Sequence, residues 1–166
     1  MLPSHMKYIA LAALSASMAT ACATAQPPAA LPPAAPESDA ASRQISKFSF
    51  EETNKRLQSA IEARGLTLFT TVDHAAGAAR ADLELAPTTL YIFGNPQGGT
   101  PLMQANPEMG LHLPLKALVY ERDGTVQVTV TDIRDIAASL GVSEPAVVLD
   151  KVSGALAAIQ AEATGN

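Results

Sequence analysis

Two stretches of alternating character, residues 115–122 and 125–131, meet at Asp123-Gly124. Asp-Gly between such runs suits a two-residue turn whose two central positions are left-handed, and the twist of that turn matches the twist of the strands it joins. A β-hairpin is therefore expected, and with it an antiparallel sheet. Within the second run Val126, Val128 and Val130 share one face while Gln127, Thr129 and Thr131 share the other, so one side of the sheet should be buried and the other wetter.

The stretch before the hairpin supplies the centre of the sheet. An apolar strand from Leu90 runs into the corner Gly94-Asn95-Pro96, followed by Gln97-Gly98-Gly99-Thr100-Pro101-Leu102-Met103. This reads as a strand, a tight corner and a helix capped by Thr100 with Pro101 at its first position, where a missing N–H costs nothing. Upstream, residues 44–48 alternate weakly, as an edge strand would. Ser49 stands three residues before Glu52 in a capping-box pattern, and the helix that follows places Leu57, Ala60, Ile61 and Arg64 on one face before Gly65 stops it. Residues 66–72 are rich in Thr, Val and Phe, as a strand is. Residues 75–81 form a short alanine-rich helix or turn.

After the hairpin, Thr131 or Asp132 caps a helix ended by Gly141. Ser143 and Pro145 then start a last helix, running to about Glu162, that buries Val148, Leu149, Val152, Leu156 and Ile159. The expected fold is α+β in two layers: a small, mostly antiparallel sheet of four to five strands with helices packed on it. It occupies a single domain over residues 43–166.

The amino terminus has a different purpose. Lys7 precedes an apolar run over residues 9–14, which fades into Ala19-Thr20-Ala21-Cys22. A charged start, a short apolar stretch and small residues make an export signal. The run is too short for a permanent span, which takes about 20 residues. Cys22, the only cysteine in the chain, sits where a lipoprotein processing site places one, although Ala19 stands where that pattern has Leu. The rival reading is ordinary cleavage after Ala21, Ala23 or Ala25. The first reading makes Cys22 the lipidation site, holding the domain at a membrane through the anchor alone. Residues 23–42, with Gln-Pro-Pro-Ala-Ala-Leu-Pro-Pro-Ala-Ala-Pro, have little to bury and form a tether. At about 3.1 Å per residue its reach is up to about 60 Å. The expected location is the periplasm or cell envelope.

Charge narrows the partners. Eleven Lys and Arg against sixteen Asp and Glu give a net charge of -5, with no basic cluster, so no nucleic acid is expected. A single cysteine excludes an intrachain disulfide framework.

Three kinds of chemistry can be tried on the remaining residues. Gly94 and Gly99 have the spacing of a phosphate-binding loop, but Thr100 and Pro101 stand where that motif has Lys and Ser or Thr, so the corner is read as structural. Met103, Met109, His74 and His112 are ligand types that suit a soft metal such as copper, without a paired spacing. Asp73 and His74 are neighbours and in a strand would point to opposite faces, and no serine lies in a nucleophile elbow. No catalytic residue, resident metal or cofactor is therefore assigned. A pocket lined by His74, Asn95, Lys116 and Tyr120 is the expected ligand-binding site, with Lys116 either partly desolvated or on the solvent face beside Glu108 or Glu121.

Several of these motifs occur together in one family. Asp73-His74-Ala75-Ala76-Gly77-Ala78, Gly94-Asn95-Pro96, Gly99-Thr100-Pro101-Leu102-Met103 and Leu113-Pro114-Leu115-Lys116 resemble the bacterial and archaeal domain of unknown function 302, over roughly residues 44–160. The resemblance implies a small α+β domain, often a dimer, and carries over no catalytic residue. The chain is thus read as an exported, lipid-anchored domain that binds a small ligand or an envelope protein without turnover. A homodimer is expected through an exposed strand edge or the valine-bearing sheet face. Two alternatives stand beside this reading: an enzyme or redox accessory with a pocket near Asn95 and Lys116, and copper handling through Met103, Met109 and His112.

Overall fold

The computed structural model describes residues 42–166. The export segment, Cys22 and all of the tether before Ser42 lie outside the described residues. The domain opens with a short strand, β1 (Arg43–Ile45), and then α1 (Phe50–Ala63). Ser49 caps α1, its hydroxyl accepting the Glu52 N–H at 3.2 Å. The capping box is only half formed, because the Glu52 carboxylate takes the Arg56 Nε donor at 2.8 Å instead of reaching back. Thr53, Leu57, Ala60 and Ile61 form the buried stripe of α1. Next come β2 (Thr67–Asp73), α2 (His74–Ala79) and β3 (Thr88–Gly94). Asp73 ends the strand and caps the helix, accepting the Ala76 N–H at 2.8 Å.

The corner after β3 differs from expectation. Helix α3 (Pro96–Ala105) begins at Pro96, five residues before Pro101, and its cap is Asn95, whose Oδ1 accepts the Gln97 N–H at 2.8 Å. Both prolines carry the same local signal. Pro96 fills the first position next to a side chain that can cap, which leaves Pro101 in the second turn with no N–H for the carbonyl four residues back. A short 3-10 turn (Pro107–Leu111) leads to the hairpin, β4 (Leu115–Arg122) and β5 (Thr125–Val130). Asp123 at φ 52° and Gly124 at φ 73° form its tip. Helix α4 (Ile133–Ser139) is capped by Asp132, and α5 (Ala146–Thr164) closes the domain. Pro145 occupies the cap position of α5 rather than its first turn, and Glu144, not Ser143, accepts the Ala146 N–H at 2.9 Å.

The strands make one five-stranded sheet in the order β1-β5-β4-β3-β2, every neighbouring pair antiparallel, so the architecture is α+β as expected. Alternation sends Tyr91, Phe93, Leu115, Ala117, Val119, Val128 and Val130 to the helix side, where all are buried. With Leu57, Ile61, Leu102, Met109, Ile133, Leu156 and Ile159 they form the core. Full burial of a side chain such as Leu or Phe is worth about 1.5–3 kcal/mol, so this layer dominates the stability.

The strand β1 is held differently. Gln160 of α5 is wholly buried, and its Nε2 donates to the Val128 carbonyl at 2.8 Å and to the Ser42 carbonyl, while its Oε1 accepts from the Ser42 hydroxyl at 2.9 Å. Thr164 donates to Gln44 Oε1 at 2.9 Å. Ile45 remains exposed. Beyond its ladder to β5, polar bonds to the last helix rather than apolar contact hold the first strand.

Candidate functional site: the open face of the sheet

The four residues expected to line one pocket separate into two groups. Pairing sets Thr88 opposite Tyr120 and Ile92 opposite Lys116, so Tyr120 and Lys116 lie at opposite ends of the sheet on the same face. They are four residues apart along β4, about 13 Å. His74, directly after Asp73 and exposed, belongs to the Tyr120 end, whereas Asn95, directly after Gly94, belongs to the Lys116 end.

Three of the four have structural partners. Asn95 caps α3. The Lys116 ammonium donates to the His112 carbonyl at 3.1 Å and the Pro114 carbonyl at 3.0 Å, with neither Glu108 nor Glu121 as its partner. The Tyr120 hydroxyl donates to Gln127 Oε1 at 2.8 Å, and Gln127 Nε2 donates to Thr125 Oγ1 at 3.0 Å. The thioether set is also divided: Met109 is wholly buried in the core, Met103 reaches the surface, and His112 is half-buried, its carbonyl accepting from Lys116. A cation could reach Met109 only by unpacking the core.

What the fold does bring together is an apolar surface on the sheet side away from α1 and α5. Strand alternation sends Val72, Leu90 and Leu118 to that side in one row, with Thr70 and Ile92 in the next. Leu90, Ile92 and Leu118 are half-buried and lie outside the main core cluster. Phe69 extends the surface. The register of β2 against β3 shifts between Leu68 and Thr70, and the extra residue, Phe69, is 51% exposed. Its ring stands at the end of this face: a Cβ on Gly94 would lie 3.6 Å from Phe69 Cε2. Sequence reading missed this surface. Its signal was the run Leu115-Lys116-Ala117-Leu118-Val119-Tyr120, which sets Leu118 between Lys116 and Tyr120 on the face opposite Leu115, Ala117 and Val119, but a bulge that re-aims Phe69 has no such trace.

Charge is sorted across the sheet. Among the described residues its strands carry three basic side chains, Arg43, Lys116 and Arg122, all on the open face, and two acidic ones, Asp73 and Glu121, both toward the helix side. Arg122 has Asp123 of the hairpin tip at 3.5 Å. The titration shifts lie away from this face. Burial pushes the Tyr91 hydroxyl up, where it donates to Asn54 Oδ1 at 3.0 Å. The hydrogen bond from Arg64 holds the Glu162 carboxylate below its usual range.

The model of the family described as Domain of unknown function DUF302 matches residues 42–162. A crystal structure of a conserved DUF302 protein from Bacillus stearothermophilus superposes with a TM-score of 0.70 at 17% identity, covering 76% of this chain and 99% of that one, a likeness of fold. The chain is also 45% identical over 112 residues to Fluoride-specific ion channel FluC 1 of Brucella suis biovar 1 (strain 1330), covering 66% of this chain and 44% of that protein. The corresponding protein of Brucella abortus biovar 1 (strain 9-941) is likewise 45% identical, with 42% of its length covered. The chain thus spans less than half the length of the curated relatives it matches.

Proposed function

The chain belongs to the DUF302 family, and with that as premise we propose that it is an exported, lipid-anchored binding domain that engages a membrane-embedded envelope protein through the open face of its sheet, without turnover. The observation that carries this reading is the aliphatic surface of Val72, Leu90, Ile92 and Leu118 on a sheet whose long helices, α1 and α5, pack on the other side. A sheet face of this composition is stable in contact with another apolar layer. Asn95, Lys116, Asp73 and Tyr120 hold caps, carbonyls and a neighbouring amide, which favours binding over chemistry.

The relatives support the choice of partner. A matched segment of 112 residues is far longer than the 41 residues before Ser42, so most of it falls on the folded domain. Conduction needs membrane-spanning helices or a closed barrel. Among the described residues no helix is long and apolar enough to cross a membrane. In the Brucella proteins, conduction would then reside in the unmatched remainder, with the matched segment as a domain carried beside it. Joining two modules in one chain raises their effective concentration. A lipid anchor would give a separate chain part of the same advantage.

Two measurements test this. Palmitate supplied to growing cells should label the parent chain and not Cys22→Ser; an unlabelled parent would remove the anchor. The Cys22→Ser chain should float with vesicles containing the unmatched portion of the Brucella suis protein and not with empty vesicles of the same lipid. Equal flotation with both would remove the partner.

A further inference from the structure

We infer that the open face is shaped for an amphipathic helix with acidic flanks. This inference deepens the partner-binding reading above and rests on it.

The argument begins with the distribution of charge. The whole chain carries -5, yet among the described residues no strand position on the open face is Asp or Glu, while both acidic strand residues are directed toward the helix side. Lys116 is bonded to two carbonyls, which orient its ammonium without neutralising it. Lys116 and Arg122 mark the two ends of β4 on this face, six residues and so about 20 Å apart. Between them lie Leu118, with Leu90 and Ile92 on the adjacent β3, and Val72 beyond.

The dimensions suit a helix. Helix packing on a sheet uses one apolar stripe, and a span of about 20 Å corresponds to about 13 helical residues. A stripe at i, i+3, i+4 and i+7 would cover the aliphatic centre and bring residues near its two ends beside Lys116 and Arg122. A carboxylate beside Lys116 would be answered by an ammonium whose partners are carbonyls alone, whereas Arg122 already has Asp123 at 3.5 Å, so the Lys116 end carries the discrimination. Lysines would meet like charge at an interface, where mismatched charge strongly disfavours a partner. The same argument weighs against a second copy of this chain face to face, since each copy would add basic strand residues and no strand carboxylate, its Asp123 being held by its own Arg122. A lipid surface is the other anionic candidate. The half-buried setting of Leu90, Ile92 and Leu118, on a face shared with Thr70, Thr88 and Thr129, suits a helix laid on the pleat better than insertion among acyl chains.

The test uses the Cys22→Ser full-length chain and two synthetic amphipathic helices with one leucine pattern. One carries glutamate beside each end of the stripe, the other lysine. Binding is followed by fluorescence anisotropy, and anionic phosphatidylglycerol vesicles are offered in a parallel experiment. The glutamate helix is expected to bind, and the lysine helix more weakly by about tenfold or more. Lys116→Glu should narrow or invert that preference, and Leu118→Asp should abolish binding, with both variants melting close to the parent. Equal binding of the two helices, no binding of either, or indifference to Lys116→Glu would overturn the inference. So would binding to the vesicles with none to the glutamate helix, which would assign the face to lipid. The peptides contain no part of the Brucella protein. Success here with failure of vesicle flotation would therefore leave the chemistry standing and change the partner, and the reverse pair of results would do the opposite.

Discussion

Gly94 and Gly141 each close a secondary-structure element, but only Gly141, at φ 68°, uses a backbone conformation that L side chains avoid. Gly94 is absent from the left-handed region, and a Cβ there would meet Phe69 Cε2 at 3.6 Å and Pro114 Cβ at 3.7 Å, ordinary contact distances. Gly141→Ala should therefore lose about 1–2 kcal/mol in a urea titration. Gly94→Ala should stay within about 0.5 kcal/mol of the parent. The opposite order would show that the β3 corner, not the α4 end, requires glycine. Gln160 is the polar counterpart. Replacing it by Leu leaves the Val128 and Ser42 carbonyls without their amide donor. The expected loss is about 2 kcal/mol, with faster amide exchange over β1. Unchanged exchange over residues 43–45 would mean that β1 is held by its ladder to β5 alone.

At the scale of elements, caps explain why the starts of α1 and α4 were readable and why those of α3 and α5 were not. Ser49, Asp73 and Asp132 each accept an N–H of the helix they precede; Ser49 and Asp132 were visible as polar residues ahead of periodic runs, whereas Asp73, before an alanine-rich stretch with no apolar period, was not. The start of α3 was ambiguous because Pro96 and Pro101 send the same signal. Which of them begins the helix depends on where β3 ends and where Leu102 meets the core.

Helices α1 and α5 are also joined by Arg64 and Glu162, 2.7 Å apart. The pair raises Arg64 and lowers Glu162, and for each the mutual hydrogen bond is the leading cause. A carboxylate lowered on folding contributes stability above its unfolded value, near 4.5, and loses it as pH falls through the lower folded value. Glu162→Gln should thus cost less than about 1 kcal/mol at neutral pH, since the pair is partly solvated, and nothing once the parent carboxylate is protonated. A cost that persists in strong acid would assign the effect to packing instead of charge.

For the whole molecule, the sheet makes two opposite environments out of adjacent residues. Leu118 and Val119 are consecutive in β4, but Val119 is wholly buried against the helices and Leu118 stands on the open face. Val119→Asp should abolish folding, because it buries a carboxylate with no partner. Leu118→Asp should melt within a few degrees of the parent and fall short only in binding. Similar losses of melting temperature would mean that the open face is packed within the monomer.

The linear order of residues determined the elements themselves, because caps, a two-residue turn and apolar periodicity act between neighbours a few positions apart. Asp123-Gly124, Ser49 and the valines of β5 were sufficient for an antiparallel sheet with helices. Only the tertiary structure decided which residues share a surface. Strand register separates His74 and Tyr120 from Asn95 and Lys116, and a one-residue bulge turns Phe69 toward the open side. Register and sheet order arise from contacts between segments far apart in the chain, and no local pattern encodes them.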